Sequence, residues 1–91
     1  MNYYTYIAYN AKHDKFYIGQ TNNLCKRITE HNLGVSNYTS KYDGKWEMLY
    51  KEEFNSRSDA MQRERFLKKQ KNKEFYRKLC KINISENPSV G

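Results

Sequence analysis

The chain has 91 residues and a mass of 11.0 kDa, which fits one domain, because two separate cores would each bury too little surface to offset chain entropy. Charged residues make up 30% of the sequence, but aromatic residues reach 15%, which is too many for a disordered chain. The formal net charge of +7 favours a polyanionic partner. No apolar run could span a bilayer, and the start lacks the apolar core of a signal peptide, so we expect a cytoplasmic protein rather than a membrane or secreted one.

The first two predicted elements are strands of a β-hairpin. Residues 3–9, YYTYIAY, are rich in β-forming side chains, and residues 15–19, KFYIG, have the same character after a polar connector. The expected register places Tyr6 directly across from Tyr17, so that one face of the hairpin carries two phenols. The opposite face of the second strand would carry the apolar side chains of Phe16 and Ile18.

The next predicted element is an amphipathic helix over residues 22–33. Thr21 or Asn22 can cap its N terminus, and a glycine directly after the last turn can end it. Arg27 and His31 are one helical turn apart, so both side chains can project into the same neighbouring cleft. The expected apolar stripe of this helix consists of Leu24, Cys25 and Ile28.

A loop and a third strand follow this helix. Residues 35–45 have a loop-like composition, and residues 46–54 alternate apolar and polar side chains, which predicts a strand and hence a three-stranded sheet. We expect Trp46 in the core. The loop residues Tyr38 and Tyr42 can either stack on unpaired bases or cover the tryptophan.

A second helix is predicted from Ser56, which forms a capping box with Asp59, to about Lys69. On a helical wheel, Glu64 falls in the middle of its apolar face. Burial of an unpaired carboxylate is costly, so Glu64 needs an ion pair with Arg27 or a lysine, or else it binds a metal ion or acts as a catalytic acid. The apolar residues on either side of it are Ala60, Met61 and Leu67.

A third helix is predicted from Lys73 to about Ile82, with Phe75 and Leu79 in the core, and residues 83–91 are expected to form a flexible tail. The charge of the chain is concentrated just before this tail. Residues 63–81 contain nine basic and two acidic side chains, which accounts for the whole net charge of +7. We expect this segment to contact phosphate. The lysines predicted to bind nucleic acid are Lys68, Lys69, Lys71 and Lys73.

Five residues are hard to explain by packing alone, namely Tyr6, Tyr17, Arg27, His31 and Glu64. Their order and spacing, with the motifs YTY at residues 4–6 and YIG at residues 17–19, resemble the GIY-YIG nuclease superfamily. Within it, the chain is similar to small stand-alone bacterial members. The resemblance covers about residues 3–79, and it is specific because several positions agree in both spacing and order.

The resemblance implies an α+β fold in which a three-stranded antiparallel sheet is flanked by helices. It places the nuclease domain at residues 1–82 and leaves residues 83–91 as the tail. The family motif has Gly-Ile where this chain has Tyr4-Thr5, a change that keeps the strand and its tyrosine. Some members also carry an active-site asparagine, for which Asn72 and Asn83 are candidates without a motif to decide between them.

The resemblance also implies hydrolysis of phosphodiester bonds, in DNA rather than RNA, with one Mg²⁺ or Mn²⁺ ion, in repair, recombination or processing. Glu64 stands at the metal-binding glutamate of the family, which suits an ion that keeps most of its waters. Arg27 stands at the catalytic arginine and can hold the scissile phosphate. Tyr6 and Tyr17 can orient or deprotonate the attacking water, and His31, at a position that is His or Tyr, can transfer a proton or bind phosphate.

Other functional classes stay open at this stage. One alternative is a non-catalytic nucleic-acid-binding module of the same fold, and another is a protein-interaction domain whose basic helix binds an acidic partner. Sequence-specific cleavage would need a partner or a homodimer, because the chain supplies no recognition helix. Zinc binding is disfavoured because no pair among the possible ligands has the usual spacing. Those possible ligands are His13, Cys25, His31 and Cys80.

Overall fold

The computed structural model describes residues 2–36 and 38–81. The predicted α+β architecture is confirmed, with an antiparallel sheet and three α-helices. The elements in chain order are β1 (Tyr3–Asn10), β2 (Lys15–Thr21), α1 (Leu24–Leu33), a 3₁₀ turn (Thr39–Lys41), β3 (Trp46–Phe54), α2 (Arg57–Gln70) and α3 (Lys73–Cys80). Within the part of the chain that the structure describes, no helix is both long and apolar enough to cross a membrane.

The sheet has the strand order β2-β1-β3, with β1 in the centre. The expected hairpin register is wrong by two residues, because Tyr6 pairs with Gly19 and Ala8 pairs with Tyr17. The turn sets this register: the side chain of Asn10 accepts a hydrogen bond from the backbone N–H of His13 at 3.1 Å. Since side chains alternate with a period of two, a two-residue slip leaves both tyrosines on the same face.

Helices cover both faces of the sheet. On one face, α1 packs Leu24 and Ile28 against a buried cluster of Tyr6, Ala8 and Trp46. On the other face, α2 and α3 cover a second cluster around Ile7, Ile18, Leu67, Tyr76 and Cys80. The predicted division between a phenolic and an apolar face is therefore confirmed, and the phenolic face lies under α1.

The helix α1 begins at Leu24, two residues after the predicted start. Asn23 is the N-cap, and its side chain accepts a hydrogen bond from the backbone N–H of Lys26 at 3.0 Å. Thr21 instead forms a turn ahead of the helix, where its hydroxyl accepts from the backbone N–H of Asn23. Cys25 is exposed and does not belong to the apolar stripe. The predicted stop is confirmed, because Gly34 has φ +78° and closes the last turn.

The predicted capping of α2 is confirmed, since the hydroxyl of Ser56 accepts from the backbone N–H of Asp59 at 3.2 Å. Ala60 and Leu67 are fully buried, but Met61 is 39% exposed and lies outside the apolar face. One residue step turns an α-helix by about 100°, so the side chain next to Ala60 points away from the sheet.

In α3, the buried residues are Tyr76 and Cys80, whereas the predicted core residues Phe75 and Leu79 are only partly buried. Asn72 caps this helix by accepting from the backbone N–H of Phe75 at 3.2 Å. This contact gives Asn72 a local structural role. The other asparagine candidate, Asn83, the expected core residue Ile82 and the expected tail lie outside the described residues, and the boundary after residue 82 stays a prediction.

Candidate active site

The centre of the phenolic face is the hydroxyl of Tyr6, which is completely buried. It accepts a hydrogen bond from Nε of Arg27 at 3.1 Å and lies 2.9 Å from Nε2 of His31. Three of the residues singled out in the sequence thus meet at one oxygen atom. Because Arg27 and His31 are one turn apart on α1, the helical period alone brings both to the same phenol.

Gly19 makes room for this phenol. A Cβ at this position would lie 2.7 Å from the hydroxyl oxygen of Tyr6, 2.9 Å from its Cζ and 3.0 Å from Cε2 of Tyr17. These distances are too short for carbon atoms in contact. Position 19 in the YIG motif must therefore be glycine, because the ring of Tyr6 on the neighbouring strand packs directly against its backbone.

His31 is buried between two hydroxyl groups. Its Nε2 faces Tyr6, and its Nδ1 lies 3.0 Å from Oγ1 of Thr39 in the 3₁₀ turn. Burial and the nearby charge of Arg27 lower the pKa of His31 to about 4. His31 is therefore neutral at pH 7, and its role in proton transfer or phosphate binding stays a prediction.

Arg27 lies at the edge of the buried centre. Its Nη1 donates to Oε1 of Glu30 at 2.8 Å while its Nε donates to Tyr6. Burial alone would lower the pKa of Arg27, but the hydrogen bonds to Glu30 and Tyr6 outweigh it and the pKa is raised. Arg27 is a permanent cation whose orientation is fixed from two sides.

Glu64 lies on α2, the helix that covers the other face of the sheet. Its Oε2 lies 2.8 Å from Nζ of Lys68, one turn further along, and 20% of its side chain is exposed. Of the ion pairs left open by the sequence, the structure thus has the one with a lysine. Burial raises the pKa of Tyr6, the hydrogen bond from Arg27 only partly offsets it, and the negative charge of Glu64 adds to the rise. The carboxylate therefore acts electrostatically on the phenol.

The donor set fits a hard divalent ion that keeps most of its waters. Within residues 2–36 and 38–81, no group of three His, Cys, Asp or Glu side chains could enclose a metal ion. Mg²⁺, however, commonly binds through one or two carboxylates. The ammonium that pairs with Glu64 belongs to Lys68, whose side chain is 53% exposed, and such ion pairs contribute only about 1 kcal/mol or less. Glu64 is the residue that would hold the ion.

Tyr17 lies beside this centre and, unlike Tyr6, is only partly buried. The centroid of its ring is 4.9 Å from that of His31 in an edge-on contact and 6.2 Å from that of Tyr6. Tyr6, Tyr17, Arg27 and His31 therefore lie together, and Glu64 acts on the same phenol through its charge.

Comparison with known proteins assigns this chain to a family. The model of the GIY-YIG catalytic domain matches residues 2–79. The chain belongs to the GIY-YIG family. GIY-YIG domains are nuclease domains that act on nucleic acid and generally depend on a divalent metal ion.

Individual proteins are also similar to this chain. The UPF0213 protein YazA of Bacillus subtilis (strain 168) is 35% identical over 77 residues, which cover 82% of this chain and 77% of that protein. The UPF0213 protein CPE1444 of Clostridium perfringens (strain 13 / Type A) is 38% identical over 66 residues, which cover 72% of this chain and 70% of that protein. The solution NMR structure of the UPF0213 protein BH0048 from Bacillus halodurans has the same fold, with a TM-score of 0.52, 22% identity and coverage of 96% of this chain and 100% of that one.

The basic segment of this GIY-YIG domain is not uniform. Lys69 and Lys71 are exposed, whereas Lys68 pairs with Glu64. Lys73 lies 3.4 Å from a carboxylate oxygen of Asp14 in the hairpin turn. Of the four lysines predicted to bind nucleic acid, Lys68 and Lys73 would therefore have to leave a carboxylate partner before they could contact phosphate.

The aromatic residues of the loop also divide into two kinds. Trp46 is 1% exposed and belongs to the core, as expected, whereas Tyr38 is 37% exposed. Tyr42 is partly buried between them, with its ring centroid 5.6 Å from that of Tyr38 and 6.5 Å from that of Trp46.

Sequence reasoning missed two polar residues of the site. Glu30 orients Arg27 through an ion pair. It lies three residues after Arg27 on the same helix, and this spacing could have indicated the contact. Thr39 holds the second nitrogen of His31. Because this contact depends on how the loop folds back onto α1, no local pattern could have indicated it.

Proposed function

We propose that this GIY-YIG domain is a divalent-metal-dependent endonuclease that hydrolyses phosphodiester bonds, in DNA rather than RNA. The observation that carries the proposal is the shared contact at Tyr6, whose hydroxyl lies 3.1 Å from Arg27 and 2.9 Å from His31. This contact directs a permanent cation and a neutral imidazole to the same phenol, on which the charge of Glu64 also acts. A cation fixed beside a metal-binding carboxylate suits a substrate whose reacting group is a phosphate.

Arg27 neutralises the charge that develops on the phosphate. With Nε donating to Tyr6, Nη1 donating to Glu30 and Tyr17 as a further hydrogen-bond partner, the guanidinium is oriented before substrate binds. Such preorganised donors stabilise a transition state because they need no reorientation during the reaction. Lysine would lose this forked geometry.

The two tyrosines have different roles. Tyr6 is completely buried, and burial raises its pKa, so it remains a neutral phenol that positions Arg27 and His31. Tyr17 is only partly buried, and its side chain hydrogen-bonds Arg27. We assign to Tyr17 the orientation of the attacking water and to Tyr6 the positioning of its neighbours.

Glu64 would hold the metal ion in place of its ion pair with Lys68. When bound, a divalent ion lowers the pKa of its water and stabilises negative charge on phosphate oxygens. The single carboxylate leaves the other coordination positions to water and substrate oxygens. Glutamine has the same shape as glutamate but no charge, so we expect Glu64→Gln to lose metal binding.

A cleavage assay tests the proposal. Labelled single-stranded, duplex and branched DNA and the matching RNA molecules are incubated with the protein and Mg²⁺, Mn²⁺ or EDTA. We expect metal-dependent cutting that Glu64→Gln and Arg27→Ala abolish and that Glu74→Gln, an exposed carboxylate variant on α3, retains. Binding without cutting on every substrate would instead support the non-catalytic module. Cutting by Glu64→Gln at the wild-type rate would contradict the assignment of the metal ligand.

A further inference from the structure

A groove runs beside the tyrosine centre along the free edge of β2. Its volume is about 510 Å³, and it lies between β2, the loop after α1 and the end of α2. Tyr17 belongs to both the groove and the centre, because its ring also contacts His31. A ligand in the groove would therefore lie next to the bond that the centre cleaves. The residues that line the groove are Phe16, Tyr17, Ile18, Tyr38, Lys68, Lys71 and Tyr76.

The aromatic side of the groove is held in place before any ligand binds. The ring centroid of Tyr38 is 5.5 Å from that of Tyr17 and 5.6 Å from that of Tyr42. Tyr38 is thus supported on two sides and still 37% exposed. A partly exposed ring supported in this way offers a stacking surface at little entropic cost.

On the basic side of the groove, the backbone of Lys71 is fixed in position. Lys71 ends α2 in a left-handed conformation with φ +46°. Its backbone N–H donates at 3.1 Å to the hydroxyl of Tyr76, which itself donates to the carbonyl of Leu67 at 2.7 Å. Among the described residues, the ion pairs do not include Lys71, and Lys68 has a single carboxylate partner. The groove therefore combines a stacking ring with two cations.

This combination suits a nucleotide. Every nucleobase has a flat face that stacks on an aromatic ring, and its phosphate carries the charge that lysines bind. A base inside a duplex does not expose its face, because the neighbouring bases cover it. A protein strand added to the edge of β2 would use backbone hydrogen bonds but would not require the lysines.

We propose that this groove binds an unpaired nucleotide next to the scissile phosphate, with its base on Tyr38 and its phosphate at Lys68 and Lys71. This inference rests on the proposed nuclease function and adds its substrate class: a nucleic acid that is single-stranded at the cleavage position. Tyr38 is thereby a specificity-determining residue, and it is separate from the five residues of the centre.

Fluorescence of an oligonucleotide with one 2-aminopurine tests the groove without cleavage, in EDTA. We expect wild-type protein to quench the single-stranded probe and to leave a fully paired duplex probe unquenched. Tyr38→Ala should weaken single-strand binding roughly fivefold to hundredfold, which is the usual effect of removing one stacking ring. Tyr38→Phe should retain binding, and so should Phe66→Ala, a control at a 47% exposed ring outside the groove.

A charge variant tests the other side of the groove. Lys71→Ala should reduce the slope of log affinity against log salt by about 0.7 for a single strand. Equal quenching of the duplex probe, or an unchanged affinity in Tyr38→Ala, would overturn the inference. So would protection of β2 amides by an acidic peptide together with no oligonucleotide binding, which would favour a protein partner. Quenching that depends on Tyr38 in a protein that never cleaves would support the groove and refute the nuclease function.

Discussion

At the scale of single residues, the site depends on one close approach between two strands. The ring of Tyr6 occupies the space that a side chain at position 19 would fill. The same phenol orients Arg27 and His31. A small change at Gly19 therefore acts on all three residues, although the glycine has no chemistry of its own.

Gly19→Ala should reduce cleavage by at least about tenfold, because a displaced phenol no longer orients Arg27. Overpacking of this kind destabilises a fold by about 1–3 kcal/mol, so unfolding in urea should show a lower midpoint while the chain remains folded. Tyr6→Phe is the companion variant, and the two effects should not add in the double variant, because both act through one contact. Additive losses would contradict this account.

His31 should make stability depend on pH in a defined window. The pKa of His31 falls to about 4 in the folded protein because of burial and the charge of Arg27, whereas the unfolded value is about 6.5. The unfolded chain therefore binds the proton first, and the free energy of unfolding decreases as the pH falls from about 6.5 to 4, by up to about 3 kcal/mol.

The comparison with His31→Gln isolates this effect. The variant has no titrating imidazole at this position, so its unfolding free energy should be flatter than that of the wild type between pH 6.5 and 4. Urea titrations at four or five pH values measure both curves. Parallel curves over the whole window would show that His31 is not held neutral by the fold.

At the scale of elements, most local signals predicted the structure correctly, apart from the cap of α1 and the apolar faces assigned to Cys25 and Met61, whereas the register between strands was wrong. The bounds of β3, the cap at Ser56 and the stop at Gly34 follow from side chains within a few residues of each other. The hairpin register and the contact of Thr39 with His31 depend on how separate segments meet. The sequence could therefore indicate the candidate site residues, but not the strand register and the loop contact that position them.

The hairpin turn and α3 meet at another such contact. Asp14 has φ +53°, and its carboxylate accepts from Tyr9 at 2.8 Å and from Arg77 at 2.6 Å. Burial alone would raise the pKa of Asp14, but the hydrogen bond from Tyr9 and the charges of Arg77 and Lys73 outweigh it and lower the pKa. The contact therefore attaches α3 to the sheet at neutral pH.

Asp14→Asn should remove this attachment without changing the turn, since asparagine also tolerates positive φ. We expect a loss of about 1 kcal/mol or less, because the carboxylate is 41% exposed and solvent weakens such pairs. The backbone amides of α3 should exchange faster with deuterium, while those of α1 serve as the control. A lowered pKa stabilises the fold above the unfolded value of about 3.9, so the difference from wild type should disappear as the pH falls below that value.

At the scale of the whole molecule, charge is distributed unevenly. The segment that carries the whole net charge of +7 begins at Arg63 and continues to the end of the described chain. Its lysines extend from the carboxylate of Glu64 towards the hairpin turn at Asp14. A nucleic acid backbone along this line would pass the candidate site and contact these lysines. Some of the lysines already pair with a carboxylate and others are exposed.

Affinity for nucleic acid should therefore respond unequally to the lysines of this segment. Lys69→Ala removes an exposed cation and should flatten the slope of log affinity against log salt by about 0.9 for duplex DNA. Lys73→Ala should have a smaller effect, because Asp14 already compensates part of its charge at 3.4 Å. Lys51→Ala, on the exposed side of β3, is the matched control and should leave the slope unchanged. If Lys51→Ala flattens the slope as much as Lys69→Ala, binding depends on total charge and not on this segment.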